Sequence, residues 1–193
     1  MRHNRVMEPG QRAPAPGTLR LLQQFINTYN IERAHIGLPN EEFALPADLR
    51  RWLVKHALLP SGAHIRAVEV RRAQAVREAL RRLVLAHSGR PIDSTAVSVL
   101  NRLARDARLV VRLRRDGEMR LESRAPGLMG ALGRLLAAAF MAEIDGTWQR
   151  LKACRRCHWA FYDHSKNRSG RWCVMSICGN RMKARAYRSR QRA

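Results

Sequence analysis

No cysteine occurs in the first 153 residues of this 193-residue chain, and lysine appears only four times, at Lys55, Lys152, Lys166 and Lys183. Acidic residues are scarce as well. Against 37 Lys plus Arg stand 15 Asp plus Glu, so the formal charge is +22, and 33 of the cations are arginines. Such an excess attracts polyanions, whether or not the contact is specific. The preference for arginine says less, because a GC-rich genome produces it as readily as selection for bidentate phosphate contacts. Long apolar runs are missing too. Leu135 to Ala142 is the longest, bounded by Arg134 and Glu143, where a membrane span needs about 20 residues. Residues 1–17 hold no apolar core of a secretory signal. The sequence therefore predicts a soluble, cytoplasmic protein with no membrane partner.

Catalytic signatures are also lacking. The seven histidines (His3, His35, His56, His64, His87, His158 and His164) form no H-E-x-x-H pattern. There is no G-x-S-x-G, P-loop or G-x-G-x-x-G either, and no catalytic residue is assigned. The expectation is a protein that is not an enzyme. A hydrophobic content of 46% is enough for a packed core, which excludes a disordered basic protein.

What is present gathers at the C-terminus. Cys154, Cys157, Cys173 and Cys178 read C-x2-C-x15-C-x4-C. A thiolate pair two residues apart can clasp a metal from a tight turn, and a second pair closes a tetrahedron of sulfur, the geometry that zinc prefers in structural sites. Disulfides would need an exported chain, and an iron–sulfur site is the main remaining alternative. The sequence thus predicts one structural Zn2+ with four cysteine ligands. From Leu151 onward there are twelve Lys or Arg and one acid, Asp163, formally +11. Four thiolates on Zn2+ reduce that to about +9, still strongly cationic. Beyond Cys178, Arg181, Arg185, Arg188 and Arg192 fall on one face of a predicted helix, with Lys183 and Arg190 beside them. Met182 and Ala186 could pack on the knuckle. Lys166, Arg168 and Arg171 lie in the stretch before Cys173 and are secondary candidates for phosphate contact. Trp159, Phe161 and Trp172 are expected in the finger's core. The order reads as knuckle, β-hairpin, then a helix whose first turn carries the fourth ligand, the plan of a treble clef.

The segments Cys154-x-x-Cys157, Ser165-Lys-Asn-Arg-Ser-Gly-Arg-Trp-Cys173 and Cys178-Gly-Asn-Arg181, with Lys183, Arg185 and Tyr187-Arg188 behind them, resemble the CGNR zinc finger. In that bacterial family the finger ends a chain that begins with an ABATE domain, described as a stress-induced transcription regulator. The resemblance implies DNA binding.

The rest of the chain reads as a mostly helical body. Leu19, Leu22, Phe25, Ile26 and Tyr29 recur at helical spacing, and residues 31–45 form a loop. Pro46 starts a helix to about Leu59, and a long one follows from about Ala63 to His87, apolar residues inside and arginines outside. Asp93 or Ser94 caps a helix to about Ala107. Alternation at Leu109, Val111 and Leu113, the pair Asp116-Gly117, and Met119 and Leu121 predict a hairpin. Pro126 opens a last helix, expected to run through Trp148 and Leu151 to Cys154. The fold class is therefore mainly α (α+β), in three parts: a flexible segment over 1–17, a helical domain over 18–150 and a finger over 151–193.

Phe25-Ile-Asn-Thr28 is similar to the ABATE domain's phenylalanine-hydrophobic-Asn-Thr motif, and Leu45-Pro-Ala-Asp-Leu49 with Trp52-Leu53 is similar to its Thr-Pro-x-Asp-Leu segment. Gln24 stands where the family has an acid, and Leu45 where it has a capping threonine. Asn27 and Thr28 are candidates for a polar ligand pocket, although such a pair near a helix end more often satisfies backbone groups. The favoured reading is a zinc-dependent DNA-binding regulator, with an unidentified small-molecule or protein effector at the helical domain. The rivals are an RNA- or ribosome-associated zinc protein, and a protein-interaction module in which zinc only folds the tail.

Overall fold

The computed structural model describes residues 12–31 and 40–191. Six α-helices and two antiparallel hairpins are seen among them: α1 (Leu19–Ile26), α2 (Pro46–Lys55), α3 (Ala67–Ala86), α4 (Ser94–Asp106), β1 (Leu109–Leu113), β2 (Met119–Ser123), α5 (Gly127–Ile144), β3 (Leu151–Ala153), β4 (Ala160–Tyr162) and α6 (Asn180–Arg190). The chain is α+β, with helices dominating.

Local signals explain most of these boundaries. Pro46, with its fixed φ and no N–H to satisfy, occupies the first turn of α2. Leu45 cannot cap that helix with its side chain, but the Asp48 carboxylate accepts a hydrogen bond from the Leu45 amide at 3.1 Å. Asp93 caps α4 by accepting the Ala96 amide at 3.0 Å. The first hairpin pairs Leu109 with Ser123 and Leu113 with Met119 across the Asp116-Gly117 turn, in the register that the alternation predicts.

Two expectations are corrected. The last helix of the body does not reach the cysteines. It stops at Ile144, where the Thr147 amide bonds back to the Ala142 carbonyl at 2.9 Å. A single 3-10 turn over Trp148–Arg150 then leads into β3. The outer face of α3 also carries fewer arginines than expected. Arg77 and Arg81 are each only 2% exposed, because they face carboxylates and carbonyls supplied by other segments. α5 is long and apolar enough to span a membrane by length and composition, but half of it is buried within the fold, as suits a core helix.

One core runs through the whole body. Leu22, Phe25 and Ile26 of α1 meet Phe43, Leu49 and Leu53, then Leu80 and Val84 of α3 and Leu132 and Leu135 of α5. Leu151, Ala153, Ala160 and Tyr162 of the second hairpin belong to that same core. The cysteine-bearing segment is thus seated on the body by its strands. Of residues 1–17, expected to be flexible, 1–11 lie outside the described residues and 12–17 are held. Arg12 donates from Nε to the Cys173 carbonyl at 2.6 Å and from Nη2 to the Trp172 carbonyl at 3.2 Å. Its guanidinium lies 4.8 Å from the Phe161 ring centroid.

Candidate metal centre and nucleic-acid interface

β3 and β4 flank the first cysteine pair, so Cys154 and Cys157 form the turn of a hairpin. The register Leu151 to Tyr162, Lys152 to Phe161 and Ala153 to Ala160 closes on it. The Cys154 amide bonds to the Trp159 carbonyl and the His158 amide to the Cys154 carbonyl, each at 2.9 Å. Here the structure departs from the expected order, in which a hairpin lay between the two cysteine pairs. The strands surround the knuckle instead, and residues 163–172 form a loop. A π-helical turn over Met175–Gly179 carries Cys178, and α6 begins one residue beyond it.

The loop is built on a buried ion pair that the sequence pattern did not reveal. Lys152 of β3 donates to the Asp163 carboxylate at 2.8 Å, and both side chains are buried. The ammonium also reaches the carbonyls of Arg168 and Gly170. Asp163 accepts the amides of Gly170 at 2.7 Å and Ser165 at 3.1 Å. Burial works against its charge, but the hydrogen bonds from Lys152 and Ser165 outweigh that cost and hold the carboxyl well below the usual carboxylate range. A Cβ at position 170 would lie 2.8 Å from Cγ of Asp163, which explains the glycine there.

Cys154, Cys157, Cys173 and Cys178 are buried, unlinked by disulfides, and their sulfurs all lie within 4.8 Å of one another. The Cys157–Cys173 separation is 3.4 Å, and Cys178 is 3.7 Å from both. A disulfide would bring two sulfurs to about 2 Å. A tetrahedral zinc–thiolate site, with Zn–S bonds of about 2.3 Å, puts them about 3.8 Å apart. The donor set suits one structural Zn2+, and these four residues would hold it with no position left open. Hydrogen bonds from Cys157 and Cys173 pull the Cys154 thiol far down, and the bond to Cys154 pushes Cys157 up. Zinc binding needs these thiols as thiolates. Trp159 and Phe161, at 7% and 1% exposure, pack around the sulfurs, with the partly buried Trp172 and Val174 beside them. The Arg156 guanidinium points from Nη1 to Cys178 Sγ at 3.7 Å. Gly179 is needed for space, since a Cβ there would lie 3.1 Å from the Trp172 ring and closer still to the Met175 sulfur.

The predicted phosphate-contact residues divide by position. Lys166, Arg168 and Arg171 are exposed in the loop, and Arg181, Lys183, Arg185, Arg188 and Arg190 are exposed along α6. Arg192 lies outside the described residues, as do His3 and His35. No residue of α6 is buried, and Met182 is partly covered while Ala186 is not. The helix thus stands away from the body.

Asn27 and Thr28 are spent internally. Asn27 donates from Nδ2 to the Ala160 carbonyl at 2.9 Å, and its Oδ1 accepts the Ala160 amide at 2.8 Å. It pairs with β4 as a neighbouring strand would. Thr28 donates its hydroxyl to the Phe25 carbonyl at 2.7 Å and accepts from Arg77 at 3.3 Å. Arg77 in turn grips the Glu41 carboxylate with two bonds of 2.7 Å. Burial opposes its charge, but the bonds to Glu41 prevail and raise its pKa. Arg81 reaches the carbonyls of Ile26, Tyr29 and His158, joining α1, α3 and the knuckle. A groove of about 380 Å3 lies elsewhere, floored by Val76, Val99, Leu103 and Met129 and rimmed by Arg72 and Arg102.

Comparison with known proteins matches two stretches of the chain to family models. No curated protein matches the chain. Residues 150–191 match the family model of the CGNR zinc finger. Residues 19–145, well over half of the chain, match the ABATE family model, described as "Putative stress-induced transcription regulator". The chain belongs to the ABATE family and carries a CGNR zinc finger at its C-terminal end.

Proposed function

We propose that this protein is a zinc-dependent DNA-binding transcription regulator, and that α6 and the loop before Cys173 are its contact surface. One observation carries the reading: a helix free of acidic residues, with every Lys and Arg along it exposed, is rooted in a four-cysteine site. Bound Zn2+ would fix the π-helical turn, and with it the direction in which α6 leaves the body. Arg185 and Arg188, on one face, would meet phosphates, or base edges where the helix enters a major groove, with Lys183 on another face adding to the surrounding charge. Lys166, Arg168, Arg171, Arg181, Arg190 and Arg192 would add charge around them. A duplex is favoured over unpaired RNA because Trp159 and Phe161 are buried, which removes the knuckle aromatics as a stacking platform. The proposed location is the cytoplasm, on the nucleoid.

Chelation tests the reading. The zinc-loaded protein should bind a mixed-sequence DNA duplex more tightly than single-stranded RNA of equal length, and removing zinc should abolish the difference. Equal affinity for both, with and without metal, would reduce the tail to a nonspecific cation.

A further inference from the structure

Three arginines outside α6 meet where the finger touches the body. The two residues inside the first cysteine pair are Arg155 and Arg156. Arg155 donates from Nε to the Ser88 carbonyl and from Nη2 to the Gly89 carbonyl, the latter at 3.1 Å. Gly89 accommodates this with φ +82 and no side chain, since a Cβ there would lie 2.2 Å from Arg155 Nη2. The next residue is Arg90, which ends the turn after α3 and is exposed. On the other side, the Arg155 amide donates to the Arg171 carbonyl at 3.1 Å, and Arg171 is exposed as well. Arg90, Arg155 and Arg171 therefore come from three segments and converge at one seam. No carboxylate pairs with any of them among the described residues, although elsewhere in the body arginines are matched to acids, as in Arg77 with Glu41 and Arg82 with Asp93. Like charges held together without a counter-charge repel one another, and an anion laid across them relieves that repulsion. Arg156 extends the row, because its guanidinium reaches Cys178 two residues before α6 begins.

We infer that a DNA phosphate backbone lies across this seam, so that Arg90 of the helical domain contacts the same duplex as α6. The inference rests on the DNA-binding reading above and changes what the body does. The body becomes a second point of contact that sets the angle of the finger, and the finger does not read DNA alone. A signal acting on α3 could then alter binding without touching zinc.

Arg90 is the residue to test, because it makes none of the seam's structural bonds, whereas replacing Arg155 would also loosen the finger. The assay uses the full-length, zinc-loaded protein with a labelled 30-base-pair duplex between 0.1 and 1 M salt. For Arg90→Ala, the log–log salt slope should fall by about 0.9, a loss of about eightfold in affinity at 0.1 M relative to 1 M. Arg102→Ala, at the groove between α3 and α4, should keep the wild-type slope. Zinc content should be unchanged in both. Wild-type binding by Arg90→Ala would overturn the seam contact, as would equal losses in the two variants, which would mean only a response to net charge. Arg185→Ala/Arg188→Ala, run alongside, separates the two readings. If it weakens binding while Arg90→Ala does not, the seam fails and the helix stands; if it too has no effect, both fail.

Discussion

A carboxylate buried as deeply as that of Asp163 needs a partner that stays charged, and Lys152 supplies it. Replacing the acid by its neutral amide would leave the ammonium buried with carbonyls alone. Asp163→Asn should therefore cost on the order of 3 kcal/mol and be seen as a lower urea midpoint with wild-type zinc content at pH 7. Alongside His56, on which burial acts in the same direction, His87 contributes to the pH dependence. Burial pushes its imidazole below the ordinary value, against the bond between Nδ1 and the Leu151 carbonyl. The unfolded chain therefore takes up this proton first as pH falls through about 6.5. Stability should drop from pH 7.5 to pH 6, and His87→Gln should flatten that drop in paired urea titrations. Neither role was legible in the sequence. Lys152 counted there as one more cation of the tail, and Asp163 as its lone acid, because a linear charge count cannot show that two residues eleven apart face each other across a hairpin. The cysteines were legible because a metal's geometry is written directly into their spacing.

At the scale of elements, the second hairpin serves both halves of the molecule. Its strands complete the body's core, and its turn presents two of the four thiols. Asn27→Ala would leave the Ala160 amide without its side-chain acceptor and the Ala160 carbonyl with Gln23 Nε2 alone, at 3.3 Å. An unsatisfied buried amide costs about 1–3 kcal/mol, so this variant should unfold at lower urea while still binding one zinc. A variant that instead kept full stability would remove Asn27 from the docking contact. Cys173→Ser should do the reverse. Zinc stoichiometry should fall towards zero and α6 should lose its anchor, while α1 to α5 keep most of the far-ultraviolet helical signal. Helices and the first hairpin were readable from periodicity, caps and the Asp-Gly turn. The end of α5 was not, because Trp148 and Leu151 continue the apolar spacing after the backbone has already turned at Gly146. Buried Arg77 and Arg81 were hidden for a related reason: arginine at an outer helical position looks solvated until Glu41 and the carbonyls of Ile26, Tyr29 and His158 fold over it.

For the whole molecule, the charge of +22 is unevenly used. Part of it is consumed inside, by Arg77, Arg81 and Lys152, and part stands outward on α6, the loop and the seam. The exposed share is what a polyanion would meet, and zinc would give it a fixed direction. The salt dependence of duplex binding tests this most directly, with the zinc-loaded wild type compared with Arg185→Ala/Arg188→Ala at equal metal content. Loss of two phosphate contacts should make the log–log slope shallower by about 1.8. A double variant that binds as tightly as the wild type, with the same slope, would contradict the assignment of α6 as the contact helix.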